Sequence, residues 1–201
     1  MENGTIRKKG ISIKGKIKCV VFDLDGTLAK FPIDYDSMRG ELKELFIKSG
    51  KESSFKPLIQ EIRRLAEEIG DENILQEAFK IIDKYEEKAV KNSQLIGNTI
   101  EFYNKCMEKG IETAILTRNG KKMVNLFLSK YNLKKPKVIC SRDDSVLLKP
   151  DPAQFEIIEK KTNFKKEEYL LLGNSEHDRE LARNVSIRFI NPNKPFKIDL
   201  D

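Results

Sequence analysis

The chain predicts an α/β fold: a doubly wound, Rossmann-like parallel sheet with a small all-helical insertion after its first strand. Three observations carry that expectation. A short apolar, β-branched run, Lys18-Cys-Val-Val-Phe-Asp23, ends directly in turn residues, as a strand buried on both faces does. Between Tyr35 and Lys91 apolar residues recur only at helical spacing. Beyond Gly97, short apolar runs alternate with helical patterns, the order that builds a parallel sheet with helices packed on it.

The elements follow in order. After the first strand comes the tight loop Leu24-Asp25-Gly26-Thr27-Leu28. In the insertion, Leu42, Leu45 and Phe46, then Leu58, Ile59, Ile62 and Leu65, then Ile74, Leu75, Ala78, Phe79, Ile82 and Tyr85 mark three or four amphipathic helices. Breaks fall at Ser49-Gly50 and Gly70-Asp71, and Pro57 suits the first turn of a helix. Helices are then predicted over 98–109, 120–131, 151–161 and 176–184, with strands over 111–116, 137–140, 169–172 and 187–190. Residues 1–30 and 96–201 thus form the expected α/β core, and residues 31–95 the helical insertion.

Composition bounds the function. A chain of 201 residues, 39% hydrophobic and 35% charged, is long enough for one sizeable core with a modest insertion. No apolar stretch reaches the length needed to span a bilayer, and residues 1–18 lack the hydrophobic middle of a secretion signal. Cys19, Cys106 and Cys140 are scattered without metal or redox spacing, which fits free thiols and a cytoplasmic setting. The net charge of +6 is concentrated in Arg7, Lys8, Lys9, Lys14, Lys16 and Lys18. That arm lacks interleaved aromatics, so a solvated tail is expected there and nucleic acid is not the expected partner.

In an open parallel sheet, ligands bind outside the carboxyl ends of the strands. The first strand delivers Asp23 and Asp25 to that rim, and the second Thr117-Arg118-Asn119. A later loop brings Lys149, held before Pro150, and the strand ending at Leu172 brings Gly173-Asn174-Ser175-Glu176-His177-Asp178. These groups suit phosphoryl transfer. One carboxylate can attack phosphorus, and a second, two residues on, can protonate the leaving oxygen and later activate water. Thr117, Lys149 and loop amides can stabilise the equatorial oxygens. Crowded acids beside a phosphate call for Mg²⁺ between them.

Val20-Val21-Phe22-Asp23-Leu24-Asp25-Gly26-Thr27-Leu28 resembles the first motif of the haloacid dehalogenase superfamily. Ile115-Leu116-Thr117 is similar to its second motif, Lys149-Pro150 to its third, and Gly173 to Asp178 to its fourth, all in the family's order. The wording Thr-Arg-Asn and Lys-Pro-Asp-Pro resembles the phosphoglycolate phosphatase-like branch. The resemblance implies Asp23 as nucleophile and Asp25 as general acid and base. It implies Thr117 and Lys149 at the phosphoryl group, with Arg118 as a further phosphate-binding candidate beside them, and Asp23, Asp25, Asn174 and Asp178 around Mg²⁺. The inserted helices correspond to the family's cap. A hydrolase acting on a small phosphorylated metabolite through an aspartyl-phosphate follows, with a phosphomutase or a catalytically weakened phosphoryl-binding protein as alternatives. One departure stands out: the fourth motif usually opens Gly-Asp-Ser, and here the acid is Asn174. An uncharged amide weakens the expected hold on Mg²⁺, and Glu176 is a candidate to compensate. For Arg118, contact with substrate and pairing with a neighbouring acid remain open, and His177 is assigned a surface turn.

Overall fold

The structure, a computed structural model, describes residues 16–194 together with Phe196 and Ile198. The elements run β1 (Cys19–Phe22), β2 (Ala29–Lys30), α1 (Tyr35–Ile47), α2 (Leu58–Ile69), α3 (Glu72–Lys91), β3 (Gln94–Leu95) and α4 (Gly97–Glu108). They continue with β4 (Glu112–Leu116), α5 (Lys121–Lys130), β5 (Val138–Cys140), α6 (Ala153–Thr162), a 3₁₀ turn (Lys166–Glu168), β6 (Tyr169–Leu172), α7 (Glu176–Asn184) and β7 (Arg188–Ile190). Arg7, Lys8, Lys9 and Lys14 of the basic arm lie outside the described residues. Lys18, expected in a solvated tail, instead bridges Glu168 at 2.6 Å.

Five parallel strands form the main sheet in the order β5-β4-β1-β6-β7. Every residue of β1 is fully buried, which explains its unbroken apolar run: a central parallel strand has no polar face. Alternate side chains serve opposite layers. Cys19 and Val21 join Phe155 and Ile158 of α6 and Leu181 and Ala182 of α7 in one core. Phe22 points the other way, with Tyr103 of α4 packed edge-on against it at 5.3 Å. Helices therefore cover both faces, the doubly wound arrangement the alternation predicts. The chain leaves β1 toward β4 and β5 on one side, then returns to β6 and β7 on the other. That reversal makes β1 the topological switch point, where open α/β sheets hold their ligands.

The chain divides into two compact units, residues 31–93 and the remainder. In the remainder, β2 and β3 pair antiparallel through Ala29–Leu95 and Lys30–Gln94. Two residues per strand are too few to show periodicity, and this pair is absent from the sequence expectation. The unit of residues 31–93 is helical. Asp34 caps α1 by accepting from Ser37 N at 3.0 Å, and Asp71 caps α3 by accepting from Asn73 N at 2.8 Å. Gly70 closes α2 in the left-handed conformation (φ +71°), which costs glycine nothing. Within this unit the expected Leu42, Phe46, Ile59, Ile62, Leu65, Ile74, Ala78, Ile82 and Tyr85 are buried, whereas Leu45, Leu58, Leu75 and Phe79 are half-buried; Met38, outside the expected stripes, is buried as well.

Candidate active site

Parallel register lines up three strand ends. Phe22 of β1 is paired with Ile115 of β4 on one side and Leu172 of β6 on the other. Asp23, Leu116-Thr117 and Gly173 therefore emerge at one edge of the sheet. Asp23 is 6% exposed and Thr27 fully buried. The loop between them turns back on itself, with Gly26 N donating to Ala29 O at 2.7 Å and Leu28 N to Leu24 O at 2.9 Å. Gly26 adopts φ +76°, and a Cβ there would stand 2.8 Å from Asn174 Cγ, so the position needs glycine on both counts. The turn aims Thr27 Oγ1 at Asp23 Oδ2 (3.0 Å), with Asn174 Oδ1 at 3.3 Å. A hydroxyl carries one proton, so Thr27 serves either oxygen but not both at once. Asp25 is half-buried beside these groups.

Lys149 lies at the centre. Its ammonium donates to Asp23 Oδ1 at 2.5 Å, to Asp178 Oδ1 at 2.6 Å and to Leu116 O at 3.3 Å, using all three of its protons. Asp178 is fully buried, and its Oδ2 accepts from Ser175 N at 3.0 Å and Ser175 Oγ at 2.5 Å. Ser175 Oγ in turn accepts from Asp178 N at 3.2 Å. This reciprocal capping box fixes the start of α7 and holds the carboxylate toward Lys149.

The electrostatics follow from one cation set between two buried acids. Burial alone would lower Lys149, but Asp23 and Asp178 together hold its ammonium above the ordinary lysine range. Burial pushes Asp23 up to about 6; Lys149 pulls the other way and Asp178 adds to the rise. The directions are compatible, because the ammonium cancels one carboxylate and leaves one negative charge uncompensated in a dry site.

That excess charge tests the fit of a metal. The donors that the family resemblance would bring to a metal are oxygens of Asp23 and Asp178, the Asn174 amide oxygen and the Asp25 backbone carbonyl, an all-oxygen set that would suit a hard cation such as Mg²⁺. It contains only two carboxylate side chains. In keeping with that, no cluster of three or more His, Cys, Asp or Glu side chains suited to a metal occurs among the described residues. Glu176 does not make up the difference: it is exposed and paired with Arg179 at 3.1 Å. His177 is exposed as well.

Thr117 follows β4 and is 1% exposed. Its Oγ1 donates to Asn119 Oδ1 at 2.9 Å and accepts from Asn119 N at 3.1 Å. Arg118 is half-buried on the same loop. The structure thus joins Asp23, Lys149 and Asp178 directly, links Asn174 to them through Thr27, and places Thr117 one residue beyond a carbonyl that Lys149 grips. Sequence reasoning assigned nothing to Thr27, Ser175 or Gln154. Thr27 and Ser175 lay inside quoted motifs, but their bonds depend on loop geometry. Gln154 carried one visible signal, a polar residue next to Phe155 and within reach of Ile158 on a buried helix face.

Residues 20–191 match the family described as haloacid dehalogenase-like hydrolase. A haloacid dehalogenase-like hydrolase domain-containing protein of Arabidopsis thaliana is 31% identical over 121 residues, 60% of this chain and 48% of the relative. The chain therefore matches about half the length of that curated relative. Among solved structures, a Lactobacillus plantarum protein inferred to be a phosphoglycolate phosphatase aligns with TM-score 0.55 and 18% identity, over 87% of this chain and 86% of that one. CbbY from Rhodobacter sphaeroides, in complex with phosphate, aligns with TM-score 0.62 and 18% identity, over 86% and 84%. A hydrolase from Pseudomonas syringae aligns with TM-score 0.61 and 20% identity, over 86% and 83%. At such identities the structural likeness is one of fold. With four ordered motifs on one sheet edge and a family match across most of its length, the chain belongs to the haloacid dehalogenase-like hydrolases.

Proposed function

We propose that the chain is a Mg²⁺-dependent phosphomonoesterase acting on a small phosphorylated metabolite through an aspartyl-phosphate. The observation that carries this reading is the buried Asp23–Lys149–Asp178 triad at the switch point of the sheet. A carboxylate beside a lysine and a hydroxyl, at the edge of a sheet, is placed to attack a phosphorus whose charge its neighbours neutralise. A fold neighbour inferred to be a phosphoglycolate phosphatase, and another solved in complex with phosphate, are in keeping with that substrate class.

In the proposed cycle an Asp23 oxygen attacks phosphorus, the P–O bond to the leaving group breaks, and Asp25 protonates the departing oxygen. Asp25 then takes a proton from water, the water oxygen attacks phosphorus, and the acyl-phosphate bond breaks to regenerate Asp23 and release phosphate. Lys149 and Thr117 offer charge and a hydroxyl to the equatorial oxygens. For Thr117 this requires turning its proton away from Asn119, its acceptor at 2.9 Å. Mg²⁺ held by Asp23, the Asp25 carbonyl and the loop bearing Asn174 and Asp178 would supply the cation the triad lacks and polarise the phosphoryl oxygens. Substrate choice is assigned to the inserted helices, the cap in the family resemblance.

Asn174 favours one second reading, a phosphoryl-binding protein with weakened turnover, because it removes a charge from the donor set. Hydrolysis of p-nitrophenyl phosphate with and without Mg²⁺, in the native chain and in Asp23→Asn, tests the first reading. Metal-dependent release that vanishes in the variant supports it. Saturable phosphate binding without release at any Mg²⁺ concentration supports the second.

A further inference from the structure

One fully buried side chain holds the backbone of the site from beneath. Gln154, in the first turn of α6, is 0% exposed. Its Nε2 donates to Thr117 O at 3.0 Å and to Ser141 O at 3.1 Å. Its Oε1 accepts from Lys149 N at 3.0 Å. Two carbonyls and one N–H dictate which way the amide faces, and both of its N–H donors are used.

The three partners come from two strand-to-loop exits, because Ser141 and Lys149 belong to the same loop between β5 and α6. Thr117 follows β4, Ser141 follows β5, and Lys149 lies in the loop before α6. The neighbouring carbonyl, Leu116 O, accepts from Lys149 Nζ at 3.3 Å. Lys149 and Gln154 thus take hold of successive carbonyls at the end of β4, while Gln154 also fixes the backbone from which the lysine extends.

We infer that Gln154 is a positioning residue that sets the spacing between Thr117 and Lys149, so that the hydroxyl and the ammonium meet one phosphoryl group together. The inference rests on the phosphoryl-transfer reading of the site and adds a group that none of the four motifs contains. Glutamine is specific to the task. Glutamate of the same shape would turn a carboxylate oxygen onto two carbonyl oxygens. Methionine would leave Thr117 O and Lys149 N without these partners in a dry interior, and Ser141 O with only Asp144 N at 3.3 Å.

The test compares native protein with Gln154→Met and Gln154→Glu. Three quantities are measured: p-nitrophenyl phosphate kinetics with Mg²⁺ well below each protein's Tm, inorganic phosphate affinity, and amide exchange at Lys149. A displacement of about 1 Å at a positioning group costs on the order of 10²-fold. Both variants are therefore expected to lose roughly 10- to 100-fold in kcat and to lose phosphate affinity, with faster Lys149 exchange in folded Gln154→Met, which has no acceptor for that N–H. Phosphate titration of the native protein is expected to shift the Gln154 side-chain NH₂ resonances, a readout that needs no variant. Folded variants with native kcat, phosphate affinity and exchange overturn the inference alone. Side-chain resonances unmoved at phosphate saturation do the same. A native protein that neither hydrolyses nor binds phosphate overturns the functional reading, and this inference with it.

Discussion

Gly173 and Asp178 stand so close that no side chain fits at position 173: a Cβ there would lie 2.5 Å from Asp178 Cβ and 2.6 Å from Asp178 Oδ2. The glycine closes β6, and the carboxylate folds back from the first turn of α7 onto it. That approach lets Asp178 reach Lys149 Nζ while Ser175 holds its other oxygen.

Gly173→Ala is therefore predicted to push Asp178 off Lys149. The cost follows from overpacking a filled interior, about 1–3 kcal/mol, and each kcal/mol lowers Tm by roughly 2–4 °C in a chain of this size. Phosphatase activity should fall more than stability does, because the displaced group belongs to the site. Calorimetry paired with an aryl phosphate assay checks both; a variant with native Tm and rate would show that the approach is dispensable.

How much of this was legible in the sequence depends on the kind of contact. The α/β class came from period alone, since a buried parallel strand and an amphipathic helix write different spacings. Strand and helix ends landed within about two residues, where capping rather than burial decides. The β2–β3 pair escaped because two residues carry no period. At the site, strand-end logic named Asp23, Thr117, Lys149 and Asp178, and parallel register brings their loops to one edge. Thr27 and Gln154 stayed hidden for a physical reason. Thr27 acts through a tight turn, and Gln154 binds backbone atoms up to 37 positions away, which no local pattern records.

Asp23→Asn is predicted to abolish turnover and yet stabilise the metal-free fold. Asp23 is raised from an ordinary 3.8 to about 6. Its favourable contribution is present while the group is protonated and is lost as pH rises through about 6. At pH 7 the native site therefore carries an uncompensated charge, which the amide removes while still accepting from Lys149. Tm in chelator at pH 7 should rise by a few degrees, and the gain should shrink toward pH 4. A fall in Tm at pH 7 would mean that Lys149 needs both carboxylates.

Asn174→Asp is predicted to reverse sign with metal. Without Mg²⁺ it adds a second excess negative charge near Thr27 and Asp23, so Tm should drop below native. With Mg²⁺ the added carboxylate should tighten binding on the order of tenfold, about 1.4 kcal/mol, and Tm should rise above native. Calorimetric titration with Mg²⁺ gives the affinity directly, apart from any turnover. Equal Mg²⁺ affinity in the two proteins would mean that Asn174 lies outside the coordination sphere.

The three cysteines offer a pH test independent of the site. Cys19, Cys106 and Cys140 are fully buried, and burial pushes each thiol from an ordinary 9.0 up to about 12. Thiolate is the reactive form, so an aromatic disulfide reagent at pH 8 should find no thiol in the native protein and three once it is denatured. The folded chain holds these protons up to about 12, whereas the unfolded chain releases them near 9. Their stabilising contribution is thus complete below pH 9 and declines as pH climbs toward 12, because the unfolded state then binds fewer protons. Replacing Cys140 with Ala should flatten that alkaline decline while lowering Tm at pH 7 through the space it leaves. An alkaline slope identical in the two proteins would remove this thiol from the account.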